Sequence, residues 1–226
     1  MEAISEELLR IKLQEGAKRI YEKGLVQAGE GNMSIRIPNK DQMLITPTYN
    51  KYYNLKKKDL VQMKFDGIVL SKDVKPSSEF QLHIEVYKAR PKVNCVIHTH
   101  SPYATMMSLA RKRIPILLEE QVIFLGGSVN VSEFAVAHSD EFSVNAINAL
   151  ETKNGTLMAN HGVLACGRNV EDAIKAAELI EKLAFIYVGA EGLGEVNDIA
   201  GTSCMRFHED FEEKFSTHTE EKGKCD

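Results

Sequence analysis

The stretch VNCVIHTH, Val93 to His100, constrains this chain more than any other, lying as it does between Pro91 and Pro102. Pro91 stops the helical pattern before it, because a proline ring removes a backbone donor and collides with the preceding turn. The run VNCVIH is short, apolar and of strand character, and it ends in histidine. A strand sends alternate side chains to opposite faces, so His98 and His100 share a face, where two ring nitrogens can converge on one ion at about 2 Å. H-x-H alone is a weak signal, since a strand histidine also serves as a hydrogen-bonded core or surface residue. Asn160-His161-Gly162 strengthens it, placing a third histidine at the end of another apolar strand, before a glycine that permits a tight turn and close backbone approach. Three neutral imidazoles with an open fourth position are the donor set of a catalytic rather than a structural zinc site. Cobalt, manganese or iron suits the same ligands.

The rest of the pattern alternates helices with short strands. Ser5 to about Gly24 is amphipathic, with Leu8, Leu9, Ile11, Leu13, Ala17, Ile20 and Tyr21 at helical spacing. MSIRI and QMLIT, joined by PNKDQ, and VQMKF and IVLS around Asp66-Gly67, read as antiparallel sheet. Ser78 to Arg90 reads as a helix with Ser77 or Ser78 as cap, and Pro102 to about Leu109 as a short helix. Ile114 to Val131, interrupted by Gly126-Gly127, reads as strand and loop. Ser139 to Leu150 is a capped helix, Gly155 to Asn160 and Val163 to Cys166 are strands, and Val170 to about Tyr187 is a long alanine-rich helix. From about 189 to 226 the chain is polar, with Phe211 and Phe215 suggesting a short terminal helix in an otherwise mobile tail. With 226 residues and no internal repeat, a single domain spanning 1–226 is expected.

Composition excludes several classes. No run approaches the roughly 20 apolar residues of a membrane span, and the acidic, helix-like start is unlike a signal peptide, so the expectation is a cytoplasmic protein. A net charge of −4 gives no general attraction to nucleic acid or anionic membrane. The four cysteines show no C-x-x-C spacing; Cys95 and Cys166 lie in apolar strand-like runs and read as core.

Three loops carry a second signal. In Lys75-Pro76-Ser77-Ser78-Glu79 the serines sit at a predicted helix start, where free amides and the helix dipole favour an anion; the same residues also make an ordinary cap. Gly29-Glu30-Gly31-Asn32 and Thr46-Pro47-Thr48 are equally readable as turns, but three such loops together suggest a polyanion pocket.

GNMS (Gly31 to Ser34), ITPT (Ile45 to Thr48), PSSE (Pro76 to Glu79), HTHSPYAT (His98 to Thr105) and NHGVLACG (Asn160 to Gly167), in this order, resemble the class II aldolase and adducin-head family, over about Ser5 to Tyr187. The resemblance implies a three-layer α/β/α fold, with a central, mainly antiparallel sheet covered by helices, assembled as a homotetramer with active sites at subunit interfaces. It matches the family's zinc histidines to His98, His100 and His161, its acidic catalytic residue, beside the metal and counted with the metal site, to Glu79, and its phosphate-binding residues to Asn32, Thr48, Ser77 and Ser78. The implied substrate is a small sugar phosphate, and the implied reaction cleaves a ketose 1-phosphate to dihydroxyacetone phosphate and an aldehyde. Zinc acts there as a Lewis acid on an enediolate, and Glu79 transfers the proton. Glutamate after the paired serines favours aldol chemistry, because the related ribulose-phosphate 4-epimerases carry aspartate there. An epimerase or dehydratase, and a non-enzymatic adducin-like module, remain the alternatives. Against the fuculose-phosphate branch, Tyr49 stands where glycine follows TPT, and Glu120, preceded by Glu119, falls where a proton-transferring tyrosine is expected. Glu120 is either an additional active-site residue or part of an exposed acidic edge. The branch's other tyrosine, in the tail, has only His218 nearby.

Overall fold

The computed structural model describes residues 5–27, 29–49, 51–199 and 204–215. Among them, six strands form one sheet in the order β3-β2-β1-β4-β6-β5, antiparallel throughout: β1 (Asn32–Arg36), β2 (Gln42–Ile45), β3 (Val61–Lys64), β4 (Cys95–Thr99), β5 (Gly155–Met158) and β6 (Gly162–Gly167). The period of two divides each strand between two cores. Met33, Ile35, Leu44, Cys95, Ile97, Val163 and Ala165 join one cluster, and Met43, Ile45, Val96, Leu164 and Cys166 join the other.

The first cluster is covered by α1 (Glu6–Glu22) and α6 (Val170–Glu191). Ser5 caps α1 by accepting the Leu8 amide at 3.2 Å, and Leu9, Leu13, Ala17 and Ile20 bury the inward stripe. Asn169 caps α6, whose buried alanines Ala173, Ala176, Ala177 and Ala184 let it lie close against the sheet. A Cβ at Gly167 would stand 2.5 Å from the Ala173 amide. The second cluster is covered by α2 (Phe80–Ala89) and α5 (Asp140–Leu150), completing three layers, α/β/α. The short α3 (Pro102–Leu109) follows β4, and its first amides, Tyr103 and Ala104, donate to the Glu181 carboxylate of α6 at 3.0 and 2.9 Å.

Several expectations are revised. Glu79, not Ser77 or Ser78, stands at the cap position of α2; the Ser77 hydroxyl accepts the Glu79 amide at 3.3 Å and its carbonyl the Phe80 amide at 3.2 Å, so the turn begins two residues later than the serines suggest. The IVLS segment makes one bridge, Met63 with Val69, and no strand, because Ile68, Val69 and Leu70 remain exposed with no layer to pack on. Within Ile114 to Val131 the chain forms a helix, α4 (Glu119–Leu125), closed by Gly126 in the left-handed conformation at φ 87°. The tail beyond 189 contains α7 (Met205–Phe215), packed on α4 with Phe211 and Phe215 buried. A Cβ at Gly126 would meet the Phe211 ring at 2.5 Å, so the same glycine closes α4 and seats α7. His218 and Cys225 lie outside the described residues. Cys95, Cys166 and Cys204 are buried free thiols, and no described helix is long and apolar enough to cross a membrane.

Candidate active site

Strand register assembles the site. Asn32 pairs with His98 across β1 and β4, and Thr99 with Val163 across β4 and β6, so the start of β1, the end of β4 and the turn into β6 meet at one end of the sheet. His98 lies on the α2 side and is fully buried, while His100, just past the strand, is partly exposed. Asn160 takes a left-handed conformation (φ 55°) that swings His161 toward them. Gly162 must then lack a side chain: a Cβ there would stand 2.3 Å from the Thr99 carbonyl and within 3.0 and 3.2 Å of the His100 and His98 rings.

The three imidazoles converge. Ring centroids are 4.7 Å apart for His98 and His100, 4.8 Å for His98 and His161, and 5.0 Å for His100 and His161; the possible ligand nitrogens all lie within 4.8 Å of one another. His98 Nδ1 donates to the Val163 carbonyl at 2.8 Å, which leaves the Nε2 lone pair pointing inward. That nitrogen is 2.9 Å from His100 Nε2, whose ring turns its other nitrogen toward Glu30 Oε2 at 3.6 Å. Two inward lone pairs this close repel unless a proton or a cation lies between them, so the donor set fits a divalent ion. Burial pushes His98 down to about 3, and burial together with His161 lowers His100, so both are neutral ligands at physiological pH. Phe142 packs edge-on against His161 at 4.9 Å.

Glu79 closes the group. Its Oε1 accepts from His161 Nε2 at 2.8 Å and its Oε2 from Asn32 Nδ2 at 2.7 Å, with His98 Nε2 at 3.3 Å. Burial alone would raise this carboxyl, but His98, His161 and the Asn32 amide outweigh it and hold it well below the usual carboxylate range. It is therefore ionised at neutral pH.

The three loops flagged in the sequence gather beside it. The Thr46 hydroxyl accepts the Met33 amide at 3.1 Å, the Ser77 amide donates to the Thr46 carbonyl at 3.0 Å, and the Thr48 amide to the Lys75 carbonyl at 3.1 Å. Ser77 is buried, Ser78 exposed and Thr48 between the two. Asn32 has one amide hydrogen left after bonding Glu79. Tyr49 stands in the left-handed region at φ 52°, 85% exposed, so it supplies the backbone turn expected of a glycine while its ring faces solvent. Glu120 is not among these residues: it opens α4 and pairs with Lys182 of α6 at 2.6 Å. Sequence reasoning missed Glu30 as a neighbour of His100, and also His83, Ser34 and Tyr87, which pack beneath Asn32. The sequence signal for His83 was its place four residues after Glu79, one turn along the same helix.

Residues 11–188 match the family described as Class II Aldolase and Adducin N-terminal domain. The chain is 31% identical to 5-deoxy-D-ribulose 1-phosphate aldolase of Bacillus thuringiensis serovar kurstaki over 178 residues, 79% of this chain and 83% of that one. It is 34% identical to L-fuculose phosphate aldolase of Escherichia coli over 166 residues, 73% of this chain and 75% of the relative. A solved structure of an L-fuculose 1-phosphate aldolase superposes with a TM-score of 0.87 at 30% identity, covering 93% of this chain and 98% of that one.

Proposed function

Because this chain belongs to the class II aldolase and adducin N-terminal domain family, whose similar members are lyases acting on sugar phosphates, we propose that it is a zinc-dependent aldolase. It would cleave a ketose 1-phosphate to dihydroxyacetone phosphate and an aldehyde. The observation that carries the reading is the convergence of three inward imidazoles beside an ionised, hydrogen-bonded carboxylate.

His98, His100 and His161 would hold the ion, and zinc is the metal this all-imidazole set suits. When bound, the ion supplies positive charge against the negative charge that develops on the ketose carbonyl oxygen. Glu79 takes a proton from the carbon beside that carbonyl in the synthetic direction and returns it in cleavage; an ionised resting state is the form that accepts the proton. Asn32, through its remaining amide hydrogen, with Thr48, Ser77 and Ser78 on the clasped loops, would hold the phosphate and fix the reacting carbon in place. The relatives' names share a ketose 1-phosphate and differ in the part that becomes the aldehyde, so the phosphate-bearing half is the constant part of the substrate.

The same reading takes 1–226 as a single domain and the chain as a cytoplasmic homotetramer. Free buried thiols fit a reducing compartment, and Leu109 and Phe185, each more than half exposed on α3 and α6, suit burial in an oligomer. Glu120, on that helical surface, would reach a substrate only in an adjoining copy.

The test is a retro-aldol screen with fuculose 1-phosphate and 5-deoxyribulose 1-phosphate, coupled to detection of dihydroxyacetone phosphate, with and without chelator. Chelator-sensitive release of that product supports the reading. Chelator-insensitive release, or an epimer in place of cleavage, overturns it.

A further inference from the structure

Beneath Glu79 lies a buried polar chain, Asn32, His83, Ser34 and Tyr87, each no more than 1% exposed, of which the proposed reaction itself uses only Asn32. The direction of every hydrogen bond in it is set by one fixed point. Ionised Glu79 can only accept, so the Asn32 atom facing it at 2.7 Å must be the amide nitrogen. The Asn32 carbonyl oxygen therefore faces His83 Nε2 and, being an acceptor only, requires a proton on that nitrogen. A neutral imidazole protonated at Nε2 has a bare Nδ1, and burial, pushing His83 down to about 4, keeps the ring neutral. The Ser34 hydroxyl, 2.6 Å from Nδ1, must then be the donor there, which spends its one hydrogen. Tyr87, 2.7 Å away, donates in turn to the Ser34 oxygen. The order is fixed end to end: Tyr87 to Ser34 to His83 to Asn32 to Glu79.

We propose that His83 is a positioning residue for Glu79, acting through Asn32: its Nε2–H locks the Asn32 amide with its nitrogen toward the carboxylate. The inference rests on the proton-transfer role proposed for Glu79. Without the imidazole donor, the Asn32 amide is free to rotate and present its oxygen to Glu79, which turns an attraction into a repulsion between two acceptors. Substrate binding would lose at most the Asn32 contact to the phosphate, while the carboxylate would no longer be held where the proton is exchanged. His83 hydrogen-bonds none of the three imidazoles and reaches the phosphate loops only through Asn32, so metal content should not depend on it.

The first test needs no turnover. In the wild-type protein labelled with 15N-histidine, with the His83 signal identified by its absence in His83→Gln, nuclear magnetic resonance should show a neutral ring protonated at Nε2 near neutral pH. Protonation at Nδ1 would reverse the chain and overturn the proposal. The second compares His83→Phe, which fills the space without a donor, with His83→Gln, whose amide can donate to Asn32. His83→Phe should lower kcat by about 10- to 100-fold with full metal content, as loss of an outer hydrogen-bond partner typically does. KM should change less than kcat, because among the proposed phosphate groups only Asn32 is disturbed while Thr48, Ser77 and Ser78 are untouched. His83→Gln should recover most of kcat. Equal kcat in His83→Phe and wild type, or a loss that tracks lost metal, overturns the assignment. Should His83→Phe not fold, the tautomer measurement and the kcat of His83→Gln still decide. Absence of any aldol activity in the wild type would instead strike the aldolase reading, leaving the tautomer result to stand by itself.

Discussion

The two faces of the sheet are built from the same strands and differ in what they bury. Toward α1 and α6 the inward residues of β1, β4 and β6 are apolar or small, Met33, Ile35, Cys95, Ile97, Val163 and Ala165, apart from the buried Thr99 that ends β4. Toward α2 and α5 the outer strands are apolar apart from Thr156 of β5, but the centre carries Asn32, Ser34 and His98, roofed by His83, Tyr87 and Glu79 of the α2 region. Burying polar groups is costly unless each is hydrogen-bonded, and here each member has a partner of the complementary kind. One face therefore supplies stability that any well-packed core could supply. The other holds a set of groups whose mutual orientation matters more than their burial.

That contrast breaks most sharply at Glu79. Glu79→Gln keeps shape and burial but removes the base, so turnover should fall by about 10²- to 10⁴-fold, the range for losing a general acid–base group. Zinc content, measured by metal analysis, should persist, because the three imidazoles are untouched. Unchanged turnover would end the role given to Glu79.

On the apolar face the largest effect should be on stability alone. Ile180 of α6 packs into the space left by Gly155, where a Cβ would stand 2.2 Å from its Cδ1. Ile180→Ala should cost about 2–5 kcal/mol in denaturant unfolding, since a glycine opposite has no side chain to refill the cavity. Turnover per folded, metal-loaded molecule should be spared, and a specific loss of kcat there would erase the distinction between the faces.

Acid sharpens the distinction further. His83 titrates near 4 when folded, against an ordinary value of 6.5, so between these values the unfolded chain binds a proton that the folded chain refuses. Its contribution to stability is complete above about 6.5 and is lost as pH falls toward 4, amounting to about 3 kcal/mol at most. Unfolding of wild type and His83→Gln, monitored across that window, should show the steeper acid loss in wild type. Parallel curves would mean that His83 is not buried neutral.

Legibility in the sequence divides along the same line. The strand and helix periods exposed β1, β2, β4, β6, α1 and α6, and the H-x-H spacing with His161 exposed the imidazole cluster, because each is a local pattern. The helix α4 was not legible: Val122, Ile123, Phe124 and Leu125 carry strand-forming side chains, and the segment is helical because Gly126 terminates it and α7 covers it. His83 was hidden for another reason. In an amphipathic helix it occupies a core-facing position, and only the tertiary pairing of Asn32 with His98, with α2 lying over β1, shows what it bonds. Glu120 read as a candidate by alignment alone, and its partner is Lys182.

The smallest effect should come at the far end of the polar chain, where the hydrogen-bond directions separate two otherwise similar changes. Tyr87→Phe removes a hydroxyl that only donates to Ser34; Ser34 keeps its own donation to His83, and what is left short is one lone pair on a hydroxyl oxygen. The ring keeps its stacking with Phe65 at 5.5 Å and its contact with the Arg36 guanidinium at 4.8 Å. The cost should be about 1 kcal/mol, a fall in Tm of about 2–4 °C for a chain of this size. Ser34→Ala strands both the Tyr87 hydroxyl and His83 Nδ1 in a dry core, so its cost should be larger, at about 1–3 kcal/mol for each unpaired buried group. Thermal melts of the two variants therefore read the polarity of the chain directly: were Tyr87→Phe the more damaging, Ser34 would be donating to Tyr87, and the ordering that ends at Glu79 would be wrong.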